Sequence, residues 1–426
     1  MNSRDLAAVL LTAALPVCAA DWPQYAGPSF NRATPEKIQK IFPASGPKTV
    51  WRVPTAGGFS SFTVSGGKAF TQVMRDFEGA PRETVIALHA DTGKELWVAP
   101  LGGIKINDGG QSGTPDNSGG DGPRSTPGVD GSRVYVNSAK RVLTCFDAAS
   151  GKVAWSHDLI KEFAGPLLKW ENAASPLLEG GLVFVGGGGP GESLLAFDKA
   201  SGKVVWKAHD EILTHATPVV ATILGQKQIV FFMQSGLVAV NPADGALLWR
   251  HHFRYSTSSA ASPVVADDMV YCAAAYGVGA TAVKISKKGG AFKATELWIT
   301  HGNEPVANHW STPVYFQGHL YGMFMSRGFG VGPLKCVELA TGQVKWSQPN
   351  YGPGQVILAG DTLLALSDKG ELVTVEASPN AYKEISRAKV VTGKCWSSPV
   401  VANGRIYLRS TKEGVCLEAG AAMAAR

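Results

Sequence analysis

Short segments of alternating apolar and polar residues recur along the chain, and tight turns separate them. The clearest example is Leu194–Trp206, whose first residues alternate like a half-buried strand and whose last residues, Lys203 to Trp206, resume as a second strand. Gly202 stands in the intervening turn, where a hairpin often needs a residue that tolerates a positive φ. The segment therefore predicts two antiparallel strands that are joined by a tight turn and end in a tryptophan.

Further copies of this hairpin follow one another along the sequence. They are Val85–Trp97, Leu143–Trp155, Leu237–Trp249, Leu334–Trp346 and a longer copy at Thr281–Trp298. Each hairpin has a second pair of predicted strands upstream, and that pair begins with Ser or Thr directly before Pro. These dipeptides are Thr126-Pro127, Ser175-Pro176, Thr217-Pro218, Ser262-Pro263, Thr312-Pro313 and Ser398-Pro399, with weaker copies near Ser61 and Gln355.

Each unit thus contains four predicted strands, and the units recur with a spacing of roughly 40–50 residues, which is typical of repeat architectures. Proline has no N–H to donate to a strand ladder, and it is tolerated where a strand begins. Eight such units are present. The sequence predicts an all-β fold, an eight-bladed β-propeller of four-stranded antiparallel blades.

One tryptophan recurs per unit, and we expect these side chains to pack between neighbouring blades. The predicted docking residues are Trp51, Trp97, Trp155, Trp206, Trp249, Trp298 and Trp346, and an eighth, degenerate strand ends near Val390-Val391. Trp51 has no unit before it, and the last unit, Ser397 to Glu418, has no tryptophan strand after it. The N-terminal strand around Thr49–Val53 is therefore predicted to complete the last blade and close the ring.

The pattern Ala-x-Asp-x-x-Ser/Thr-Gly-x-x-x-Trp, best seen at Ala196–Trp206, resembles the tryptophan-docking repeat of the pyrroloquinoline-quinone (PQQ) type propellers. The resemblance extends from about Trp51 to Glu418. One branch of that superfamily contains the quinoprotein alcohol and glucose dehydrogenases, and a non-catalytic branch includes the propeller of the outer-membrane barrel-assembly machinery, BamB. The segment Trp22–Pro28 is similar to the opening of many exported PQQ-like proteins, and residues 21–48 are predicted to form a strap anchored by Trp22 and Tyr25.

Composition and the N-terminus indicate an exported protein with one large domain. The chain has 426 residues, of which 45% are hydrophobic and 17% charged, and its net charge of +6 is spread without a basic run, so no nucleic-acid interface is predicted. Residues 1–20 are interpreted as a signal peptide because the apolar stretch Leu6–Val17 is too short to span a bilayer stably. Cys18 offers an alternative, lipid-anchored form. The predicted organisation is a signal peptide (1–20), a strap (21–48), the propeller (49–419) and a tail (420–426), in the periplasm or otherwise exported and without a transmembrane segment.

The loops that lead into the first strand of each blade and those between the second and third strands emerge on the same face in an up-and-down blade. The residues three positions before the repeat prolines should therefore ring the mouth of the central channel: Arg124, Ala173, His215, Ala260, Trp310 and Trp396, with Phe59 and Pro353 at the weaker copies. Neighbouring and second-loop positions add Glu171, Asn172, Tyr255, His309, Lys394, Arg75, Glu192, Tyr276 and Arg327. Such a mixture of side chains suits a planar anionic ligand or a docked peptide or loop. The alternative is a funnel filled with water, in which the polar groups form hydrogen bonds with one another and with the solvent.

The sequence carries few signs of catalysis or metal binding. Cys145, Cys336 and Cys416 occupy positions that hold Ala in sister repeats and are predicted to be buried substitutes for it. No two cysteines are adjacent, whereas the resemblance to the quinoprotein alcohol dehydrogenases would imply such a pair beneath the cofactor. The same resemblance implies a calcium site, which Glu192 and Asn172 could imitate in part. The insertion Gly102–Pro123 carries Asp108, Asp116 and Asp121, but its spacing does not match an EF-hand loop.

These observations favour a non-catalytic scaffold that resembles the barrel-assembly propeller and binds an envelope protein as a monomer. No catalytic residue, metal site or cofactor is assigned. The alternatives are a PQQ- and calcium-dependent quinoprotein-type oxidoreductase and a polysaccharide-binding propeller.

Overall fold

Eight small antiparallel sheets follow one another along the chain in a computed structural model that describes residues 20–103, 122–168, 170–256, 259–302, 305–324 and 332–420. Seven of these sheets have four strands, and one has a fifth. The four strands of each blade lie side by side in an unbroken antiparallel order. The predicted all-β, eight-bladed propeller is confirmed.

The first half of the ring contains the two N-terminal strands and four blades. The strands before the first blade are β1 (Ala33–Thr34) and β2 (Thr49–Pro54). Blade 1 contains β3 (Thr63–Ser65), β4 (Lys68–Phe77), β5 (Ala80–His89) and β6 (Glu95–Gly103). Blade 2 contains β7 (Gly128–Asp130), β8 (Arg133–Asn137), β9 (Val142–Asp147) and β10 (Val153–Asp158). Blade 3 contains β11 (Leu177–Glu179), β12 (Leu182–Gly186), β13 (Leu194–Asp198) and β14 (Val204–Ala208). Blade 4 contains β15 (Val219–Ile223), β16 (Gln226–Met233), β17 (Gly236–Val240) and β18 (Leu247–His252).

The second half of the ring repeats this order. Blade 5 contains β19 (Val264–Ala266), β20 (Met269–Ala274), β21 (Gly279–Lys288) and β22 (Ala291–His301). Blade 6 contains β23 (Val314–Phe316), β24 (His319–Met323), β25 (Leu334–Glu338) and β26 (Val344–Gln348). Blade 7 contains β27 (Gly354–Ala359), β28 (Thr362–Ser367), β29 (Glu371–Glu376) and β30 (Glu384–Lys389). Blade 8 contains β31 (Val400–Ala402), β32 (Arg405–Arg409) and β33 (Glu413–Glu418).

Helix is almost absent from the part of the chain that the structure describes. A single short helix, α1 (Leu159–Phe163), follows blade 2, and the side chain of Asp158 caps it by accepting hydrogen bonds from the N–H groups of Ile160 and Lys161. Across the described ranges, no helix is long and apolar enough to cross a membrane.

The N-terminal strand supplies the outer strand of the last blade. β2 pairs antiparallel with β33, and Trp51 lies opposite Cys416. The indole Nε1 of Trp51 donates a 2.7 Å hydrogen bond to the carbonyl oxygen of Ala90 in blade 1. One strand from the beginning of the propeller thus completes blade 8 and contacts blade 1.

The tryptophan strands dock each blade against the next one. Trp206 of blade 3 donates from Nε1 to the carbonyl oxygen of Pro242 in blade 4 at 2.8 Å, and its ring lies on Gly245. A β-carbon at Gly245 would lie 2.7 Å from the ring, and this glycine has a φ of +73°. Glycine is therefore required there both for the turn conformation and for the close approach of the indole.

The other tryptophans repeat this contact with one exception. The carbonyl acceptors are Ala90 for Trp51, Ala148 for Trp97, Lys199 for Trp155, Leu339 for Trp298 and Ser378 for Trp346. Trp249 instead donates to the side-chain oxygen of Gln228 in its own blade. In the next blade, β21 and β22 form a longer hairpin, and no atom lies within 4 Å of a β-carbon added at its turn glycines, Gly289 and Gly290.

A small residue on the third strand faces each docking tryptophan across the sheet. Ala196 lies opposite Trp206, Cys145 opposite Trp155, and Cys336 opposite Trp346. The prediction that cysteine substitutes for alanine at these positions is confirmed, and the cysteines described by the structure are free and buried. The small side chain leaves room for the indole to lie over the strand.

The N-terminal strap crosses the face that lies opposite the repeat prolines. Asp21 accepts a 2.8 Å hydrogen bond from Ser65 in the first turn of blade 1, and Glu36 accepts one from Gly404 N in the first turn of blade 8. Between these ends, the guanidinium of Arg32 contacts blades 7 and 8, and β1 pairs parallel with β27 as the fifth strand of blade 7. Trp22 is 1% exposed, so the strap is packed into the propeller.

The docking contact predicts a graded loss of stability. Trp206→Ala should lower the free energy of unfolding by about 3–5 kcal/mol, as for other large buried aromatic residues. Gly245→Ala should cost about 1–2 kcal/mol for its backbone conformation and about 1–3 kcal/mol more for forcing the indole away. Urea denaturation measures both.

Gly225→Ala is the matched control for the docking glycine. Gly225 has a φ of +79° but has no neighbouring atom within 4 Å of the added β-carbon, so only the backbone cost applies. Equal losses for the two glycine variants would contradict the docking contact.

Removal of the closing strand should expose the edge of β33. A chain that begins at residue 55 lacks β2, and the unpaired N–H and C=O groups of β33 become available to other chains. We expect stronger self-association and a less cooperative unfolding transition than in a chain that begins at residue 49, which lacks only the strap. Light scattering and urea denaturation compare the two truncations, and indistinguishable behaviour would show that β2 does not hold the ring.

Candidate functional site

The serines and threonines before the repeat prolines form hydrogen bonds from blade to blade around the channel. Ser61 N donates to Thr126 Oγ1 at 3.0 Å, and Thr126 N donates to Ser175 Oγ at 2.8 Å. Equivalent bonds join Ser175 to Thr217, Ser262 to Thr312, and Ser398 to Ser61. The dipeptide therefore has two functions. The proline begins the strand, and the hydroxyl oxygen accepts a hydrogen bond from a backbone N–H of the preceding blade. Sequence reasoning identified the first function and missed the second, although the recurring hydroxyl was its signal.

A cavity of ≈ 130 Å³ lies at the channel mouth, directly against this ring of hydroxyl groups. Its walls combine aromatic, hydroxyl and basic side chains. They are Tyr25, Phe59, Ser61, Arg124, Thr126, Trp170, Ala173, His215, Thr217, Ala260, Tyr276, His309, Trp310, Gln355, Trp396 and Ser398. The residues three positions before the repeat prolines thus come together around one cavity, except Pro353.

One wall of the cavity is aromatic. The rings of Phe59 and Trp396 stack with centroids 4.7 Å apart, and the Trp310 ring lies 5.1 Å from Trp396 with the two planes tilted by 35°. The ammonium of Lys394 lies 4.9 Å from the centroid of the Trp396 ring, which is the arrangement of a cation–π contact. Blades 6, 8 and 1 together present a continuous aromatic surface.

The remaining wall is more polar and has gaps. Arg124 donates to the carbonyl oxygen of Trp170 at 2.8 Å, and Ala173 and Ala260 leave space beside it. The rings of Tyr276 and His309 meet edge to face, with Tyr276 Oη 3.4 Å from His309 Nε2. Burial lowers the pKa of His309 to about 4, so this imidazole is neutral near pH 7.

The strap closes the cavity from the opposite side. Tyr25 lines the mouth cavity and also a second cavity of ≈ 160 Å³, which lies along residues 29–32 of the strap. The guanidinium carbon of Arg32 lies 5.3 Å from the centroid of the Tyr25 ring. The mouth cavity therefore has a floor formed by the N-terminal segment.

A buried acidic pair lies beside Arg124. Both oxygens of Glu83 accept from Ala139 N, at 3.2 and 2.9 Å, and the buried carboxylate of Glu171 forms an ion pair with the partly exposed Lys140. Burial is the main cause that raises the pKa of Glu83 to about 8, and the neighbouring Glu171 adds to it. Sequence reasoning missed Glu83, whose signal was a carboxylate at the start of the apolar run Thr84–Leu88.

Several other predicted positions do not line the cavity. Arg75 lies within β4 and pairs with Glu95 at 3.0 Å, because the hairpin of β4 and β5 extends past the expected loop. Tyr255 is buried beside Phe232, with ring centroids 5.0 Å apart. Arg327 lies outside the described residues.

Each of the two residues considered for a calcium site is engaged by other protein groups. Glu192 forms an ion pair with Lys207. Asn172 donates to the carbonyl oxygens of Asn137 and Ala174 and accepts from Ala174 N, so its amide holds the backbone of blade 2 to blade 3. In the described ranges, no three His, Cys, Asp or Glu side chains lie close enough to hold a metal ion. The acidic residues Asp108, Asp116 and Asp121 of the insertion lie outside those ranges.

Comparison with known proteins agrees with this architecture. A family model described as outer membrane protein assembly factor BamB matches residues 81–300 and 331–419. The outer membrane protein assembly factor BamB of Shewanella oneidensis is 24% identical over 347 residues, which cover 67% of this chain and 82% of that protein.

Two solved structures share this fold. BamB from Moraxella catarrhalis superimposes with a TM-score of 0.60 at 16% identity, covering 87% of this chain and 97% of that one. Quinohemoprotein alcohol dehydrogenase from Comamonas testosteroni gives 0.65 at 14% identity, with 95% and 82% coverage. At such identities these structures show the common fold alone. The family model and the related assembly factor confirm the resemblance predicted from the repeats.

The protonation of Glu83 predicts a pH-dependent stability. Unfolding returns its pKa from about 8 to the ordinary 4.5, so the folded state binds more protons between these values. The free energy of unfolding should therefore fall as the pH rises through this window, and the loss should be complete above about pH 8. Glu83→Gln has no proton to release, so its stability relative to the parent should increase over the same window.

Urea denaturation between about pH 5 and 8 measures this difference. Glu376→Gln provides the control, because Glu376 is an exposed carboxylate paired with Lys383. A difference between parent and Glu83→Gln that stays constant with pH would contradict a protonated Glu83.

Proposed function

Because the chain belongs to the family described as outer membrane protein assembly factor BamB, we propose that it is an exported, non-catalytic propeller that binds a protein partner in the cell envelope. The observation that carries this proposal is the channel-mouth cavity with its stacked aromatic wall and its arginine. Tryptophan, tyrosine and arginine are the side chains that dominate the affinity of protein interfaces. A rigid ring of blades presents them on one face.

The architecture supports a binding role through its rigidity. Phe59, Trp310 and Trp396 stand shortly before the first strands of their blades, and the hydroxyl ring fixes these strands relative to one another. Such preorganised side chains lose little conformational freedom when a partner docks. The proposed binding surface therefore needs no rearrangement of the fold.

A quinoprotein-type oxidoreductase is less well supported by the described residues. That chemistry requires a cation that polarises the quinone carbonyls and a protein base beside them. Glu192 is engaged by Lys207, and Asn172 is engaged by the backbone. The side chains considered for that site thus have structural roles, and we propose that the protein acts without PQQ or calcium.

A polysaccharide-binding function is also less well supported. Aromatic rings could stack on sugars, but the cavity wall described by the structure includes no carboxylate, and its one amide, Gln355, is already occupied. Gln355 Nε2 lies 3.4 Å from the carbonyl oxygens of Trp310 and Trp396, and Oε1 accepts from Arg32 at 2.9 Å. The hydroxyl groups of Ser61, Thr126 and Thr217 accept the blade-to-blade hydrogen bonds, so the described wall offers sugar hydroxyls neither a carboxylate nor an unengaged amide.

We further propose that the protein acts in the periplasm as a monomer. The apolar stretch Leu6–Val17 supports export, and Cys18 would provide lipid attachment in the anchored form. Fractionation of the envelope with and without detergent distinguishes a soluble from an anchored protein.

Loss of the cavity side chains should abolish partner binding without unfolding the protein. We expect Arg124→Ala combined with Trp310→Ala to lose an envelope protein that co-purifies with the parent, because both side chains line the cavity. Arg75→Ala is the control, since that arginine lies on β4 outside the cavity. Purification from the protein's own envelope fraction, followed by mass spectrometry, provides the measurement.

An assay for quinone-dependent activity tests the scaffold proposal against the enzyme alternative. Purified protein supplied with PQQ and calcium should not reduce an artificial electron acceptor with alcohols or sugars. Turnover that depends on the quinone and is lost in Glu192→Ala would overturn the scaffold proposal.

A further inference from the structure

The mouth cavity combines aromatic walls with positive charge and without acidic side chains. Arg124 lines it directly, and Lys394 lies behind the Trp396 ring. No aspartate or glutamate belongs to the described lining residues. An aromatic cavity with this charge is complementary to a ligand that carries both an apolar ring and a negative charge.

The acidic groups behind Arg124 carry little net negative charge of their own. Glu171 pairs with Lys140, so that pair carries no net charge. Glu83 is completely buried, and burial favours its neutral form near pH 7. These side chains therefore leave the positive character of the site largely intact.

One polar group in the aromatic wall is an unsatisfied hydrogen-bond donor. Trp310 Nε1 is buried and has no hydrogen-bond partner among the described residues, and an indole N–H can only donate. The Gln355 amide beside it makes contacts at both its nitrogen and its oxygen. Because this nitrogen is buried, the group that can attract a carboxylate at the cavity surface is Arg124, which lines it.

The shape of the cavity suits a single ring that enters from the mouth. The rings of Phe59, Trp310 and Trp396 line one side of the cavity, and the small side chains of Ala173 and Ala260 line the rest with little bulk. Tyr25 forms the floor. A ring inserted there would contact aromatic side chains on its face and edge.

Exposed apolar side chains stand close in the chain to residues that line the mouth. Leu167 and Ile212, in the loops that lead into blades 3 and 4, are 50% and 61% exposed, and Tyr276 is 44% exposed. A small molecule held inside the cavity would leave these side chains in water. A polypeptide extending out of the cavity would cover them, and this favours a peptide as the occupant.

We propose that the cavity binds an aromatic side chain of a partner polypeptide together with an acidic residue adjacent to it in that partner's sequence. The aromatic ring packs against Trp310 and Trp396, and the neighbouring carboxylate lies toward Arg124. This inference rests on the proposed function, since it specifies the segment that the partner presents.

Calorimetric titration of the full-length mature protein with short peptides tests the inference. The probe is the capped peptide Gly-Ser-Asp-Phe-Glu-Ser-Gly, and its controls replace Phe by Ala or both acids by Lys. We expect the probe to bind at least about tenfold more tightly than either control, and we expect added salt to weaken binding because the attraction is partly electrostatic.

Variants of the protein locate the binding to the cavity. Arg124→Gln should weaken binding of the probe about tenfold, Arg124→Lys should weaken it less, and Ala260→Leu should block the cavity by filling it. Arg75→Gln, which removes an arginine outside the cavity, should leave the affinity unchanged. Thermal unfolding of each variant verifies that it is folded.

Two results would overturn the inference: equal affinity for the probe and its alanine control, or binding of free indole-3-acetate without binding of the peptide. Its failure is distinguishable from failure of the proposed function. If Ala260→Leu retains the envelope partner and the parent does not bind the probe, the inference fails and the scaffold function stands. If the probe binds as expected but the parent captures no envelope protein, the inference is supported and the scaffold function fails.

Discussion

The contact between each docking tryptophan and the following blade is the interaction on which the ring depends. A four-stranded sheet of this size has two faces to bury and cannot bury either alone, so its stability comes from its neighbours. Three features of the repeat follow from this one contact. The small residue across from the tryptophan gives the indole room, the turn glycine lets it approach, and a turn carbonyl accepts its N–H. Trp249 is the exception that fits the same reasoning, because the long hairpin of blade 5 removes the usual acceptor and Gln228 replaces it.

Features set by the repeat register were predictable from the sequence, and features set by hairpin length were not. The positions three residues before each proline meet at the mouth because the same offset places them on the same loop in every blade. Arg75 was predicted to lie at the channel mouth because the loop between the second and third strands was assumed to be there. Instead β4 and β5 continue beyond that point, and Arg75 lies within their ladder. Tyr255 follows blade 4 and packs onto Phe232, and no local sequence pattern predicts this tertiary contact. The strap's contacts are likewise non-local: Arg32 binds Ser398, which is far away in sequence.

The candidate site lies where the repeat is broken. Blade 7 has Gln355-Val356 in place of the Ser/Thr-Pro dipeptide, so it lacks the hydroxyl that other blades supply to the ring. Arg32 of the strap compensates, because its guanidinium donates to Val356 O and Ser398 Oγ at this gap. With Pro353 outside the cavity wall, Trp310 and Trp396 meet across blade 7. The degenerate blade thus creates the continuous aromatic wall, and the strap restores the contacts that this degeneracy removes from the ring.

This arrangement separates the groups that hold the site from the groups that face a ligand. Arg32 and the hydroxyl ring bind one another and the backbone, and Arg32 lies beneath the floor formed by Tyr25. Phe59, Trp310, Trp396 and Arg124 stand above it at the mouth. Since the strap crosses the opposite face, a partner at the mouth and the N-terminal segment do not compete for the same surface. Substitutions in the wall should therefore change affinity with little effect on closure of the ring, whereas substitutions beneath the floor should affect both.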